Sequence, residues 1–335
     1  MLGAGAIGSS VGADLADAEE DVILIDQWPA HVEAMRTGGL RVVMPGKDLR
    51  VKVRALHLGE LATERPVFDV VLLAAKSYDT TWMCHLITPY LTDDGVFVGL
   101  QNGMNEEVIT PIVGSERTIA CVVELSAEIW QPGLVQRDTT REGTWFAVGE
   151  LDGAITARAQ GVAALLRHSA RVDVADNILG AKWSKLVVNS MTMGPYTLLG
   201  LKNWEAAALP GMTEVSVRLG RESVAVGEGL GYRLEPIFGM SAKQFSGEGD
   251  EMLVRAIRVL HGHIGKHATT ATVQDQKKGR RTELEHITGT VVRKGREVGV
   301  PTPANDAVLQ LAGEIGRGER AMGPANLDAL KALLD

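Results

Sequence analysis

The chain has 335 residues, 45% apolar and 23% charged, a composition typical of globular proteins and a length that predicts two domains. Its net charge of −8, without any long run of lysine or arginine, argues against nucleic acid and anionic membranes as partners. We expect a cytoplasmic protein, because no apolar stretch reaches the roughly 18 residues of a membrane span and no basic-then-apolar leader comes before the first motif.

The first motif is a glycine loop, Gly3-Ala4-Gly5-Ala6-Ile7-Gly8, with the spacing Gly-x-Gly-x-x-Gly. In a dinucleotide-binding loop, the three glycines allow a tight turn, close approach of the backbone to a pyrophosphate, and close packing of a helix on a strand. The helix predicted over 9–18 would hold the phosphates at its N-terminus. Only Met1 and Leu2 precede the loop, where about five residues are usual for a strand, so the first strand is either clipped or begins before this sequence.

The next candidate residue is Asp26, which ends the apolar run 21–25 and follows Gly8 by eighteen positions. A carboxylate at this place accepts hydrogen bonds from the ribose hydroxyls of adenosine and repels a 2′-phosphate. Gln27 follows it, where an arginine would favour the phosphorylated cofactor. The sequence therefore favours NAD over NADP, unless Arg36 or Arg41 folds in beside the phosphate.

Short apolar runs alternate with helical stretches along the first half of the chain, which predicts a mostly parallel, doubly wound, Rossmann-like sheet of the α/β class. The predicted strands cover 21–25, 69–75, 96–100 and 118–123, an antiparallel hairpin over 133–137 and 144–149 closes the sheet, and 172–174 adds an edge strand. We assign residues 1–175 to this dinucleotide-binding domain.

Beyond residue 175 the strand signals disappear, and residues 176–335 are predicted to form an all-helical domain for substrate binding or dimerisation. Its helices are predicted over 177–195, 212–231, 249–262, 274–299, 303–316 and 324–334. The apolar helical surface makes a homodimer an expectation of this organisation.

Two polar positions follow predicted strands, at the sheet edge where doubly wound folds bind ligands. Lys76 comes directly after the strand 69–75 and either faces the cofactor or is an exposed lysine. Asn102 follows the strand 96–100, and its amide has both the donor and the acceptor that suit a carboxamide or a substrate carbonyl. The pair Asn102-Gly103 is equally typical of a tight turn.

In the helical half, Lys185 and Asn189 are four residues apart, and therefore on one face, of an otherwise apolar helix. Burial disfavours the charged form of an amine, which suits a proton donor to a developing alkoxide. The alternative is a structural lysine–asparagine pair.

Glu283 lies near the start of the helix predicted over 274–299, where an acid also simply stabilises a helix N-terminus. We expect no metal, because the histidines at 261, 263 and 267 have no cysteine or carboxylate partner at zinc-site spacing. Cys84 and Cys121 lie in apolar surroundings without a Cys-x-x-Cys spacing and are expected to be buried thiols.

Taken together and in this order, the motifs resemble those of the ketopantoate reductase family, the 2-dehydropantoate 2-reductases, along nearly the whole chain. The similar segments are the loop at 3–8, Lys76, 100–104, 183–189, and the stretch from Asp275 through Glu283 to 289 and 303–305.

The resemblance implies an NAD(P)-dependent reductase that delivers hydride from a nicotinamide to the carbonyl carbon of a small 2-oxo acid. It implies that Lys185 is the proton donor and that Glu283 binds the substrate hydroxyl or orients the lysine. It also implies that Asn102 and Lys76 place the nicotinamide and the substrate, and that Asn189 contacts the substrate.

Two positions depart from the family pattern. Met193 stands where the family often has a second helix asparagine, and Ala271 stands where it has a serine before Asp275. Both replacements remove hydrogen-bonding groups from the expected pocket, unless Thr270 or Thr272 supplies one through a shifted register. Because such losses change which molecule a site accepts, we expect an oxo or hydroxy acid other than ketopantoate.

Three other interpretations stay open. A β-hydroxyacid dehydrogenase shares the lysine and asparagine spacing of Lys185 and Asn189 and acts on 3-hydroxy acids, and an opine-forming reductase acts on an imine. A non-catalytic sensor of NAD(H) needs the glycine loop but has no need of a buried lysine.

Overall fold

A computed structural model describes residues 1–237, 250–264 and 268–334. Two compact units divide the chain, Met1–Ile178 and Leu179–Asp335. The first unit mixes strands and helices, and the described residues of the second unit form helices only. None of the helices in the described ranges is both long enough and apolar enough to cross a membrane.

The strands of the first unit fall into two sheets. They are β1 (Ile23–Asp26), β2 (Leu40–Met44), β3 (Lys47–Val51), β4 (Arg54–His57), β5 (Phe68–Leu73), β6 (Leu91–Gly99), β7 (Thr118–Glu124), β8 (Ala127–Gln131), β9 (Leu134–Arg137), β10 (Trp145–Gly149) and β11 (Arg171–Val174). The helices of this unit are α1 (Ala6–Asp17), α2 (Pro29–Gly38), α3 (Leu61–Glu64), α4 (Thr80–Ile87), α5 (Glu106–Val113) and α6 (Ala157–Leu166).

The main sheet runs β4-β1-β5-β6-β7-β10-β11, with Leu2 bridging β1 and β5 in parallel to both. The Leu2 amide donates to the Leu72 carbonyl at 2.8 Å, and the Leu2 carbonyl accepts from Ala74 at 2.8 Å. Every strand pair is parallel except β7 with β10. The predicted mostly parallel sheet and its edge strand β11 are confirmed, and Met1 and Leu2 stand in the place of the first strand.

Helices cover both faces of the main sheet, as the doubly wound prediction requires. On one face α1 packs against β1, and α6 packs against β10 and β11. On the other face α4 and α5 pack together, and α5 packs on β6 and β7. Cys84 and Cys121 are buried free thiols on these two faces, as predicted.

The second sheet, β3-β2-β9-β8, covers the side of α1 that faces away from β1, and the sequence did not predict it. The hairpin predicted over 133–137 and 144–149 is wrong, because β9 pairs with β8 and β2, whereas β10 pairs with β7 and β11. Gly133, with φ +76°, makes the turn between β8 and β9. All five residues of β10 are buried, which suits an interior strand of the main sheet.

The second unit is a bundle of helices, and most of their bounds lie close to the predicted ones. They are α7 (Ile178–Leu199), α8 (Asn203–Ala207), α9 (Met212–Gly229), α10 (Asp250–Ile264), α11 (Ala271–Lys277), α12 (Thr288–Val298), α13 (Pro303–Gly316) and α14 (Ala325–Leu334). Residue 249, the predicted start of one helix, and His267 lie outside the described residues.

The single helix predicted over 274–299 is wrong, because the chain leaves the helix between α11 and α12. Gly279 has φ +65°, and its amide donates to the Gln276 carbonyl at 3.0 Å. The Arg280 amide donates to the Asp275 carbonyl at 2.8 Å. This pair of bonds is the glycine-dependent termination that closes a helix C-terminus.

Candidate active site

The glycine loop is packed so closely that two of its glycines leave no room for a side chain. Gly3 has φ +86°, and a Cβ on it would lie 2.8 Å from the Ala75 amide nitrogen. A Cβ on Gly8 would lie 2.0 Å from the Gly3 carbonyl oxygen. In contrast, a Cβ on Gly5 would meet nothing within 4 Å. The loop is therefore closely packed at Gly3 and Gly8 and open at Gly5.

The open side of the loop lies at the N-terminus of α1. The first backbone bond of the helix joins the Ser9 amide to the Gly5 carbonyl at 2.8 Å. The amides of Ala6, Ile7 and Gly8 precede that bond and therefore have no acceptor within the helix. Amides of this kind, together with the helix dipole, bind phosphate groups, so the loop fits the pyrophosphate of a dinucleotide.

Asp26, at the end of β1, lies beside this loop and is only 8% exposed. One carboxylate oxygen accepts the Ala4 amide at 2.5 Å, and the other accepts the Trp28 amide at 2.8 Å. A carboxylate has about four acceptor positions, so the two bonds leave acceptor capacity for hydroxyl groups of a ligand. Asp26 thus holds the glycine loop and the turn into α2 at once.

The two arginines that could have paired with a 2′-phosphate are bonded elsewhere. The Arg36 guanidinium donates to the Ala55 carbonyl at 2.9 Å and forms ion pairs with Glu60 and Glu33. Arg41 forms two hydrogen bonds, at 2.9 and 2.6 Å, with the Asp48 carboxylate across the β2–β3 hairpin. Both pairings direct positive charge toward protein carboxylates.

The segments that carry Lys76 and Asn102 leave neighbouring strands and are linked by side-chain hydrogen bonds. The Gln101 amide donates to the Ala75 carbonyl at 2.8 Å. The Asn105 amide donates to the Ser77 hydroxyl at 3.1 Å and to the Asn102 carbonyl at 2.7 Å. Because Ala75 also lies against Gly3, the structure places half-buried Lys76 and Asn102 at the sheet edge beside the loop.

Gln101 and Asn105 are positioning residues that sequence analysis did not single out for this role. Both are buried, and each links the segment after β5 to the segment after β6. Only their occurrence in the run from Gln101 to Asn105 could have drawn attention to them. Asn102 itself lies in a bend completed by Gly103, whose φ is +84°, so the turn interpretation of Asn102-Gly103 is correct for the backbone.

In the second unit, α7 carries Lys185 and Asn189 one turn apart on one face, 9% and 4% exposed. The helix is anchored on another face, where Trp183 Nε1 donates to the Ser223 carbonyl at 2.9 Å and the Ser190 hydroxyl bonds to that of Ser223 at 2.7 Å. This anchoring to α9 fixes the rotation of α7, and with it the direction of the lysine and asparagine face.

Glu283 lies in the segment between α11 and α12 rather than near the start of a long helix, and it is 5% exposed. Both flanking helices are fixed against α7. Thr272 of α11 bonds to the Met193 carbonyl at 3.3 Å, and a Cβ on Gly194 would lie 3.2 Å from the Thr288 hydroxyl of α12. The segment that carries Glu283 is therefore held beside α7 at both ends.

The hydroxyls of Thr270 and Thr272 both have partners within the helical unit. Thr270 accepts the Val273 amide at 3.2 Å and caps α11, while Thr272 bonds to the Met193 carbonyl and to the Thr197 hydroxyl. Both threonines are thus used in helix capping and packing. Met193 is buried at the position that continues the Lys185 and Asn189 face by one more turn.

Two family models match the chain. Residues 1–152 match "Ketopantoate reductase PanE/ApbA", and residues 177–316 match "Ketopantoate reductase PanE/ApbA C terminal". A 2-dehydropantoate 2-reductase of Mesorhizobium japonicum is 30% identical over 334 residues, which cover 93% of this chain and 95% of the relative.

Solved structures have the same fold. A PanE/ApbA family ketopantoate reductase from Ralstonia eutropha JMP134 superposes with a TM-score of 0.78 and 27% identity, over 95% of this chain and 99% of that one. A D-mandelate dehydrogenase, solved with NADH and anilino(oxo)acetate, superposes with a TM-score of 0.83 and 23% identity, over 95% and 99% of the two chains.

Proposed function

Because the chain belongs to the ketopantoate reductase PanE/ApbA family and is an NAD(P)-dependent oxidoreductase, we propose that it reduces a small 2-oxo acid with Lys185 as the proton donor. The observation that carries the proposal is the buried pair Lys185 and Asn189 on one face of α7. An ionisable amine and an amide held together at buried positions on one helix face are an arrangement that is frequent at functional sites.

The residues of the first unit fit the cofactor. Ala6, Ile7 and Gly8 would donate their amides to the pyrophosphate, Gly5 leaves room for it, and Lys76 and Asn102 stand at the adjoining sheet edge. When bound, the cofactor supplies a hydride to the carbonyl carbon of the substrate. We propose NADH rather than NADPH, because the Asp26 carboxylate repels a 2′-phosphate and the guanidinium groups of Arg36 and Arg41 are paired with other carboxylates.

Three residues of the second unit each have a defined role in the proposed reaction. Lys185 holds a proton on Nζ and donates it to the carbonyl oxygen of the substrate as that oxygen gains negative charge. Asn189, one turn further along α7, donates a hydrogen bond that orients the substrate. Glu283 accepts a hydrogen bond from the product hydroxyl or from the Lys185 ammonium, and so holds one of them in place.

The substrate that we propose is a 2-oxo acid with an apolar substituent at the end remote from the carboxylate. Met193 provides a thioether where the family often has an amide, and Ala271 has no hydroxyl. The hydroxyls of Thr270 and Thr272 are used by α11 and α7 themselves. A site that cannot pair the hydroxyl of ketopantoate discriminates against it, because that polar group loses its water without gaining a partner.

A panel of oxo acids tests the proposal. We expect kcat/KM with NADH to be highest for 2-oxo acids bearing aromatic or branched apolar substituents, and at least tenfold lower for ketopantoate. Equal or better turnover of ketopantoate would overturn the substrate assignment. Preference for 3-oxo acids would favour a β-hydroxyacid dehydrogenase instead, and cofactor binding without turnover of any oxo acid or imine would favour a sensor.

A further inference from the structure

His31 joins three parts of the first unit through its imidazole ring. It lies in α2, is fully buried, and accepts the Gly133 amide on Nδ1 at 2.9 Å. Its Nε2 is 3.0 Å from the Ser9 hydroxyl. Because a backbone amide can only donate, Nδ1 is the acceptor, and the hydrogen of the neutral ring is therefore on Nε2 and is donated to Ser9.

The hydrogen-bond chain continues from Ser9 into the glycine loop. The Ser9 hydroxyl donates to the Ala4 carbonyl at 2.6 Å, while Asp26 accepts the Ala4 amide at 2.5 Å. Both backbone polar groups of Ala4 are thus fixed by buried side chains. Since Ala4 directly precedes Gly5, these bonds set the orientation of the peptide that leads into the phosphate-binding amides.

The surroundings of His31 favour the neutral ring that this chain of bonds requires. Burial lowers the pKa of His31 below its usual 6.5, and the negative charge of Asp26 opposes that shift. The ring also stacks on Trp28, with ring centroids 5.4 Å apart. A second proton, on Nδ1, would face the Gly133 amide and break that contact.

We propose that His31 is a positioning residue for the cofactor, acting through Ser9 to hold the Ala4 carbonyl so that the loop amides point at the pyrophosphate. The inference rests on the proposed function, because it gives the hydrogen bonds from His31 through Ser9 to Ala4 a role in dinucleotide affinity. His31 contacts neither substrate nor reacting atoms in this proposal, so the turnover rate at saturating cofactor does not depend on it.

Two substitutions of His31 separate its hydrogen bond with Gly133 from its hydrogen bond with Ser9. In His31→Gln, the side-chain amide can still donate to Ser9 but no longer accepts from Gly133. In His31→Asn, an oxygen can still accept from Gly133 but no donor reaches Ser9. Ser9→Ala removes the hydroxyl that donates to the Ala4 carbonyl of the loop. Ser10→Ala is the matched control, because it removes another buried hydroxyl of α1, one that donates to the Ala6 carbonyl instead.

Two measurements on the full-length chain test the role of His31: the Kd for NADH, from fluorescence titration, and kcat at saturating NADH. We expect the Kd for NADH to rise about tenfold in His31→Asn and in Ser9→Ala, and to change less than threefold in His31→Gln and in Ser10→Ala. The value of kcat stays within twofold throughout. Thermal unfolding without cofactor reports any general loss of stability separately.

Equal Kd values in wild type, His31→Asn and Ser9→Ala would overturn this inference alone. The inference is also overturned if His31→Gln loses as much NADH affinity as His31→Asn, because the hydrogen bond from His31 to Ser9 would then not be what sustains that affinity. If His31→Asn does not fold, Ser9→Ala and its control carry the test. A wild-type chain that binds neither NADH nor NADPH would overturn the proposed function and this inference with it.

Discussion

Replacing Gly5 and Gly8 by alanine separates the folding role of the glycine loop from its role in binding. A methyl group on Gly8 would lie 2.0 Å from the Gly3 carbonyl oxygen, whereas real Cβ contacts are essentially never under 3.0 Å. The loop therefore has to move by at least about 1 Å to accept Gly8→Ala, a degree of overpacking that destabilises proteins by roughly 1–3 kcal/mol. The α1 helix, packed tightly against β1 at Gly12, has little freedom to shift.

Gly5→Ala is expected to affect NADH binding and to leave folding stability almost unchanged. Gly5 has φ −65° and ψ −163°, which alanine adopts readily, and its Cβ would meet nothing within 4 Å. Because Gly5 is the N-cap of α1, where glycine is preferred to alanine, the change costs up to about 1 kcal/mol, which the lower entropy of the unfolded alanine chain offsets by about 0.4–1 kcal/mol. The same methyl group would occupy the space where the pyrophosphate meets the backbone, so affinity for NADH should fall at least tenfold.

Chemical denaturation without cofactor and fluorescence titration with NADH measure the two effects separately. We expect Gly8→Ala to lose roughly 1–3 kcal/mol of unfolding free energy and Gly5→Ala to lose affinity at nearly unchanged stability. If Gly5→Ala binds NADH as well as the wild type does, the pyrophosphate does not lie at this loop and the reasoning is wrong.

Three further predictions use the same unit. Asp26→Ala should raise the ratio of NADPH to NADH affinity at least tenfold, since it removes the charge that repels a 2′-phosphate; an unchanged ratio in parallel titrations would contradict the NADH assignment. Arg137→Met should lower the unfolding free energy by about 3 kcal/mol, the lower end of the range for breaking a buried ion pair, because Asp14 and Arg137 form a fully buried pair at 2.6 Å while Asp14 keeps its contact with Arg141. The control Arg141→Met removes the other partner of Asp14, whose side chain is 28% exposed, and should lose less. Equal losses would show that burial gives the Arg137–Asp14 pair no larger contribution to stability. His31 has a pKa lowered by burial, so its contribution to stability is complete above pH 6.5 and is lost as the pH falls from 6.5 toward its lower folded value. Acidification over this window should therefore destabilise the wild type more than His31→Gln, and parallel curves from denaturation at several pH values would show that His31 is not the titrating group.

The sequence predicted those parts of the fold whose signal is local. The stretches 71–73 of β5, 96–99 of β6 and 119–123 of β7 are continuously apolar because both faces of the sheet are buried there. The helix α7 was recognised from one long, mainly apolar segment. The second sheet was missed because its strands are short and partly exposed, as in β3, where only Leu49 is buried. Its pairing of β2 with β9 joins segments about ninety residues apart, and no local pattern indicates that partner.

In the candidate site, too, residues that act through long-range contacts could not be identified from the sequence. Residues with distinctive chemistry in a motif, such as Asp26 and Lys185, could be selected from the sequence alone. Gln101, Asn105 and His31 could not be given their roles, because each acts through a hydrogen bond to a distant segment. Glu283 was selected, but its helix was drawn too long because Gly279, which ends α11, stands in an otherwise helical stretch.

Single-turnover oxidation of bound NADH by an excess of 2-oxo acid shows whether Lys185 donates the proton. Lys182, three residues earlier on the same face of α7 and also buried, is the competing candidate, and its substitution separates the two lysines. We expect Lys185→Met to bind NADH with an unchanged Kd and to oxidise it at least about 100-fold more slowly, while Lys182→Met stays within a few-fold of the wild type. An oxidation rate for Lys185→Met within threefold of the wild type would show that Lys185 is not the proton donor.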